Sequence, residues 1–562
     1  MPKTSQLALI AAAGLVLAAC SGGGGSGSPT PPGATSPPGA TSPPASSPPA
    51  GSTPTGPTFT AGVFEAASTF VNQCENPRSG VDIEGNAFPD DPGSLIEELF
   101  WLRSWTDETY LWNDEIVDRS PYDFESQGRV AYFDSLRTTA TTPSGEDKDD
   151  FHFSQSTEEF LEQRNAAPTA SYGARFEIVS GSVPREVRVV YTDPGTPASA
   201  IVSGLRQFVR GASIVTIDGF DLVNDGSSAA VDALNAGLFP ATSGETHIFE
   251  VLDPGASSTR TVTLVSADLA SEPVNQVSTI NTPTGDVGYI HFTTFSPFSS
   301  EEAIVDAVQQ LDTQGVSDLV LDLRYNGGGL LAVASQLSYM IAGNANTNGR
   351  TFEQLRFNNC DNPSCVDPIF GSPNNPIPFY TTGQGFTVNN GTPLPTLNLN
   401  RVFILSTEGT CSASEAVING LRGVNVEVVL IGGITCGKPF GFFPTDNCGE
   451  TYYTIQFQGL NDQGFGDFED GFVPMNSNFN FGVRVPGCEV ADDFTQPLGD
   501  PNEGLLAAAL QYRVDGSCPV GSPTSVAVVP ETSFGIIRDP STAISAPARS
   551  IFETNRDMRL PE

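Results

Sequence analysis

Lysine is nearly absent from this chain: among 562 residues and 26 basic side chains it occurs only as Lys3, Lys148 and Lys438. Histidine is as scarce, with His152, His247 and His291 alone, and no CxxC pair exists. Those two shortages argue against a structural zinc site. They also leave a Ser-His-Asp triad only His247 or His291, which lie in β-like runs and read as packed or surface residues. No GxSxG elbow occurs in the globular part, and neither Lys148 nor Lys438 has a serine three residues before it, so α/β-hydrolase and SxxK schemes fit poorly. Net positive charge is missing too. A formal charge of -39 argues against nucleic acid and anionic membrane surfaces as partners, because both recruit Lys and Arg.

What is present begins with a targeting segment. Lys3 supplies a positive start, Leu7 to Leu17 a short apolar stretch, and small residues precede Cys20. The apolar stretch is too short to span a bilayer. Leu17-Ala-Ala-Cys20 resembles a bacterial lipobox, which implies cleavage before Cys20 (signal peptide 1–20) and lipid attachment to its sulfur. Ser21 after that cysteine favours an outer-membrane destination. Residues 21–60 are almost exclusively Gly, Ser, Pro, Thr and Ala, and such a linker cannot bury a core. Eight cysteines remain: Cys74, Cys360, Cys365, Cys411, Cys436, Cys448, Cys488 and Cys518. An even number in an exported chain suggests disulfides, with the pairing open.

Residues 61–165 read as mostly helical, with Leu95, Leu99, Leu102 and Trp105 at core-forming spacing; the tryptophans carry no assigned chemistry. From 166 to 270 short β-type runs take over. Pro194 to Leu205 followed by Ala212-Ser-Ile-Val-Thr-Ile-Asp-Gly219 resembles a PDZ domain, in which a small-residue helix precedes a strand. The resemblance implies a peptide-binding cradle at Tyr172, Gly173 and Ala174. Residues 271–515 alternate strand and helix, which argues for an α/β layer, and Ser299-Ser-Glu-Glu302 matches a capping box. The tail, 516–562, is rich in Pro, Ser, Thr and Ala.

The chemistry concentrates in three turns. Asn326-Gly-Gly-Gly329 follows a strand, and its backbone amides can form an oxyanion hole or a phosphate cradle; neither GxxxxGK[ST] nor GxGxxG supports the second. Ser412 opens a helix, where unpaired amides favour developing negative charge, although Ser412-Ala-Ser-Glu415 also matches a capping box. Lys438 lies in an apolar, glycine-rich turn 26 residues later. A lysine out of water can surrender its proton, as arginine cannot, so Lys438 is a candidate general base for Ser412.

Val287-Gly-Tyr-Ile290, Leu321-Asp-Leu-Arg-Tyr-Asn-Gly-Gly-Gly329, Thr410-Cys-Ser-Ala-Ser-Glu415 and Gly437-Lys438 fall in the order and spacing of the C-terminal processing peptidases, peptidase family S41, and the chain resembles that family over roughly residues 85–515. The resemblance implies an α+β multidomain protein with a helical N-terminal region, a PDZ-like β domain and a crotonase-like (ClpP/crotonase) α/β catalytic domain. It implies Ser412 as nucleophile, Lys438 as base, Glu415 as a supporting hydrogen-bonding residue, an oxyanion hole from Gly327, Gly328 and Ala413, and no metal or organic cofactor. Substrates would be unstructured or C-terminal segments of exported proteins, with the lipid anchor the sole membrane contact. A catalytically inactive peptide-binding lipoprotein is the alternative. Two departures stand out. Phe442 occupies the position where many members carry a glutamine that orients the lysine. Cys411 and Cys436 flank the dyad, and a bracing disulfide, Cys411–Cys436 or Cys436–Cys448, is expected.

Overall fold

A computed structural model describes residues 56–165, 167–360, 365–369 and 371–519, and the backbone of Arg556–Asp557. The signal segment, Cys20 and most of the linker and tail therefore lie outside the described residues.

Ser94 starts the first helix, α1 (Leu95–Thr109), its hydroxyl accepting the Glu97 N–H. Helix α1 buries Leu99, Leu102 and Trp105 as the spacing predicts, and Trp101 stacks on Trp105 at 5.1 Å. Helices α2 (Arg129–Asp134) and α3 (Thr157–Arg164) complete this part, separated by long connecting segments and short 3-10 turns. Its aromatic residues do not form a free-standing core. Tyr110 and Trp112 cluster with Phe440, Phe442 and Tyr453, residues that follow Lys438 in the chain.

Five main strands run through the next sheet, β1 (Ala174–Ser180), β2 (Glu186–Thr192), β3 (Ser213–Ile217), β4 (Thr246–Leu252) and β5 (Arg260–Val265), in antiparallel order β5-β4-β3-β2-β1, and a sixth, Phe220–Asp221, pairs with β3 beside them. Helix α4 (Ser228–Leu238) seals it with Val231, Leu234 and Leu238. The expected helix after Pro194 is not formed. Residues 194–200 make turns and Ile201–Val202 pairs with Leu205–Arg206 in a small hairpin. Two prolines and Gly195 in seven residues forbid a regular helical turn there.

The third sheet holds the site. Strand β6 (Val274–Ile280) runs antiparallel to β7 (Val287–Phe292), and β7, β8 (Asp318–Asp322), β9 (Arg401–Ser406), β10 (Glu427–Gly432) and β11 (Gly487–Glu489) are parallel, in that order. Helices α5 (Ser300–Gln314), α6 (Leu331–Thr347) and α7 (Ala413–Gly423) cover one face, and α8 (Gly504–Asp515) the other. Each central strand is apolar on both faces. Val402 and Ile404 meet the helices while Phe403 and Leu405 meet α8, the run expected of a doubly covered parallel strand. The Ser299 capping box is not made: Ser299 itself is α-helical (φ -61°, ψ -16°), its hydroxyl finds no partner, and Glu302 N–H bonds Thr387 Oγ1 instead.

Candidate active site

Open parallel sheets bind ligands beyond the carboxyl ends of their strands, and here three consecutive strands each lead into one candidate turn. Strand β8 leads into Arg324–Gly329, β9 into Ser412, and β10 into Lys438.

Ser412 is the residue before α7 and is held at φ 59°, ψ -109°, a left-handed backbone uncommon for a side-chain-bearing residue. Ser412 and Glu415 take the capping-box arrangement, in which Ser412 N–H donates to Glu415 Oε2 at 3.0 Å while the fully buried Ser412 Oγ makes no hydrogen bond. The hydroxyl is therefore not spent on capping the helix.

Glu415, also fully buried, ties this turn to the next. Its Oε1 accepts Thr435 Oγ1 at 2.6 Å and Gly437 N–H at 2.9 Å, and its Oε2 accepts Lys438 N–H at 2.8 Å. Burial pushes this carboxyl up despite those donors. Lys438 is 0% exposed, with Nζ 4.3 Å from the Phe151 ring centroid and 4.6 Å from that of Phe442. Phe442, in turn, contacts Phe153 and Tyr453 edge-on, so position 442 walls the lysine with an aromatic face.

The glycine turn is pinned from both sides. Asn326 O accepts Cys411 N–H at 3.1 Å and Ser414 Oγ at 3.0 Å. Gly329 (φ 134°) has room for no side chain, since a Cβ would lie 2.3 Å from Ser296 N. Of the expected oxyanion donors, Gly327 and Ala413 N–H bond no group among the described residues. Gly328 N–H is already committed to Asn326 Oδ1 at 2.9 Å. Beside this turn, Gly329–Leu330 pairs in parallel with the backbone of Arg556–Asp557.

Beneath the turn lies a buried ion cluster that sequence reasoning missed. Arg324 reaches Asp322, Asp492 and Glu503, each at 2.7 Å, and Tyr289 donates to Asp322 at 2.7 Å. Burial would raise Asp322, but the Arg324 guanidinium outweighs it and holds the carboxyl at about 2. Arg210, from the β1–β5 region, joins through Asp492 at 2.6 Å and Tyr325 Oη at 2.8 Å. A charged pair separated by more than a hundred residues leaves no local signal in sequence.

The histidines sit outside this constellation. His247 pairs with Asp218 at 2.6 Å, His152 stacks on Phe133 at 3.9 Å, and His291 is buried with both ring nitrogens unpartnered. Lys148 pairs with Glu115 at 2.6 Å. All eight expected cysteines form disulfides: Cys411–Cys436 as one of the two anticipated braces, while Cys448 pairs with Cys74 rather than Cys436, and Cys360–Cys365 and Cys488–Cys518 complete the set. Two sulfur-carboxylate groupings, Cys74-Glu98-Cys448 and Cys411-Glu415-Cys436, thus have no thiolate to offer a metal. The expected peptide cradle is internally occupied: Gly173 N–H donates to Ser171 Oγ at 2.9 Å, Gly173 O accepts Asp193 N–H at 2.8 Å, Tyr172 is buried, and Ala174 lies in the β1–β2 ladder opposite Thr192. No helix of the described residues is long and apolar enough to cross a membrane.

Residues 286–446 match Peptidase family S41, the segment that contains all three turns. Over that segment the chain is similar to the S41 peptidases. A carboxyl-terminal-processing protease of a Picosynechococcus strain is 32% identical over 153 residues, 27% of this chain and 34% of that one. A chloroplastic C-terminal processing peptidase of Tetradesmus obliquus is 28% identical over 262 residues, 44% of this chain and 48% of that one. The chain thus matches between a third and a half of the length of these curated relatives. A solved structure from Bacteroides fragilis, described as an S41 protease, superposes with a TM-score of 0.55 at 23% identity, covering 74% of this chain and 97% of that one, and shares the α+β fold.

Proposed function

We propose that this S41-like chain is a serine-type endopeptidase in which Ser412 is the nucleophile and Lys438 the general base. The observation that carries the reading is the unpartnered, buried Ser412 hydroxyl on a turn fastened to the same carboxylate as the turn that carries the buried Lys438. Ser412 Oγ attacks the scissile carbonyl carbon and its proton passes to Lys438 Nζ. The oxyanion is met by the Gly327 and Ala413 amides at the dipole-positive start of α7, with Gly328 joining once Asn326 releases it. Lys438 returns the proton to the departing amine. A water molecule, deprotonated by Lys438 Nζ, then attacks the acyl carbon, and the proton passes from Nζ back to Ser412 Oγ as the acid leaves.

Substrates are assigned as unstructured or C-terminal segments of exported proteins, gathered by the 166–270 PDZ-like domain, with Cys20 lipidation holding the chain at the envelope. Support comes from the antiparallel sheet β1–β5, which suits strand addition, and from the N-terminal sequence. The test is cleavage of an unfolded protein by the full chain carrying Cys20→Ala, compared with Ser412→Ala and Lys438→Arg. Loss of turnover in both variants is expected. Equal turnover in all three overturns the dyad, and inactivity of all three returns the peptide-binding alternative.

A further inference from the structure

Cys411 immediately precedes the nucleophile and Cys436 lies two residues before the base. Their disulfide closes a Cα–Cα distance of 5.1 Å between the turns that follow β9 and β10. We infer that this disulfide is a positioning element of the dyad, so that the Ser412–Lys438 site is assembled only when Cys411 and Cys436 are oxidised. The inference rests on the dyad reading above.

Three features point to it. First, the base is not oriented by a polar side chain at position 442, where Phe442 offers only a ring face. Its backbone N–H, two residues beyond the cystine, is held by Glu415 Oε2. Second, the cystine and the carboxylate act at one spot. Cys436 Sγ lies 3.3 Å from Glu415 Oε2, the oxygen that accepts both Ser412 and Lys438 N–H. A disulfide sulfur has no proton and leaves that oxygen to the two amides. A thiol in its place becomes a competing donor, and a thiolate becomes a repelling charge. Reduction therefore unties the two turns and disturbs the atom that aligns them. Third, the cystine closes covalently the same gap that the main-chain bonds Cys436 N–H to Thr410 O at 3.1 Å and Gly433 N–H to Ser406 O at 2.9 Å span.

The chemistry is a two-electron exchange with a dithiol. Its thiolate attacks Cys436 Sγ, the half-buried member of the pair, expelling the Cys411 thiolate. The second thiol then closes the reductant into its own disulfide and leaves Cys411 and Cys436 as thiols. An exported chain meets the opposite conditions, which keep the pair oxidised.

The test uses the full Cys20→Ala chain with Cys411→Ser/Cys436→Ser, and Cys488→Ser/Cys518→Ser as a control cystine. Cleavage of an unfolded fluorogenic protein gives kcat and KM, a fluorophosphonate probe gives the reactivity of Ser412, and hydrogen exchange follows the amides of Ser412 and Lys438. We expect kcat and probe labelling to fall at least tenfold in the first variant with KM within twofold, and the two amides to exchange at least tenfold faster. The control should keep kcat and amide protection whatever its melting temperature. Dithiothreitol should silence the parent chain as peptide mapping shows Cys411 and Cys436 opening, and reoxidation should restore it. Retention of kcat within twofold by the first variant, or an equal loss in the control, overturns the inference. If the parent chain neither cleaves nor labels, the dyad reading fails, while amide exchange still decides whether the cystine positions the two turns.

Discussion

The backbone N–H groups of Ser412 and Lys438 converge on a single atom, Glu415 Oε2, at 3.0 and 2.8 Å. The proposed nucleophile and base are thus referenced to one another through a shared acceptor rather than through separate scaffolds. A carboxylate suits the task because it is acceptor-only when ionised and can satisfy four donors at once.

Glu415→Gln keeps the volume but turns one acceptor into a donor that faces amides. We expect kcat to drop about 100-fold, the scale of an ångström of misplacement, with secondary structure retained by circular dichroism. Unchanged kcat would mean that the shared acceptor is dispensable.

Restoring a glutamine at Phe442 should not improve the enzyme. Phe442 is fully buried among Phe153, Tyr453 and Lys438, and Phe442→Gln removes ring packing while burying an amide. A loss of about 2–4 kcal/mol in urea unfolding is expected, with no gain in kcat.

His291 gives an acid-sensitive fold. Burial, the largest influence, lowers its pKa from 6.5 to about 4, so the folded protein keeps it neutral while the unfolded chain takes up a proton. Its contribution is complete above pH 6.5 and declines as the pH falls toward 4, on the order of 3 kcal/mol in all. Urea midpoints measured between pH 7 and 4 should fall less steeply for His291→Phe than for the parent.

Arg324→Met should be among the most damaging single changes. It leaves Asp322, Asp492 and Glu503 around a lost cation, for which about 3–5 kcal/mol is expected. Adding Asp322→Asn should recover part of the melting temperature. Asp322, held at about 2, contributes stability above its ordinary value of 3.8 that vanishes as pH falls through 2.

The catalytic sheet was legible because β8, β9 and β10 carry unbroken apolar runs, which underlie the strand-helix alternation read over residues 271–515. The order of the glycine turn, Ser412 and Lys438 along the chain was equally readable, since each follows its strand directly. What escaped depends on the third dimension. Phe151 reaches Lys438 across 287 positions (438 less 151), Cys74 pairs with Cys448, and Arg210 joins Arg324 through Asp492. The Pro194 segment misled because small residues suit a helix in composition, while its prolines and glycine veto one in geometry. Ser299 misled because a capping motif specifies side chains but not the backbone angle that aims them.

The pairing of Gly329–Leu330 with Arg556–Asp557 carries a last consequence. A seat two residues long, built from main chain, asks its guest for unravelled length and not for a particular sequence. A helical segment has already spent its N–H and C=O groups on itself and cannot dock. Under the function proposed above, a substrate strand taking this edge would first displace Arg556–Asp557, and its fraying frequency, more than its composition, would set how often it docks.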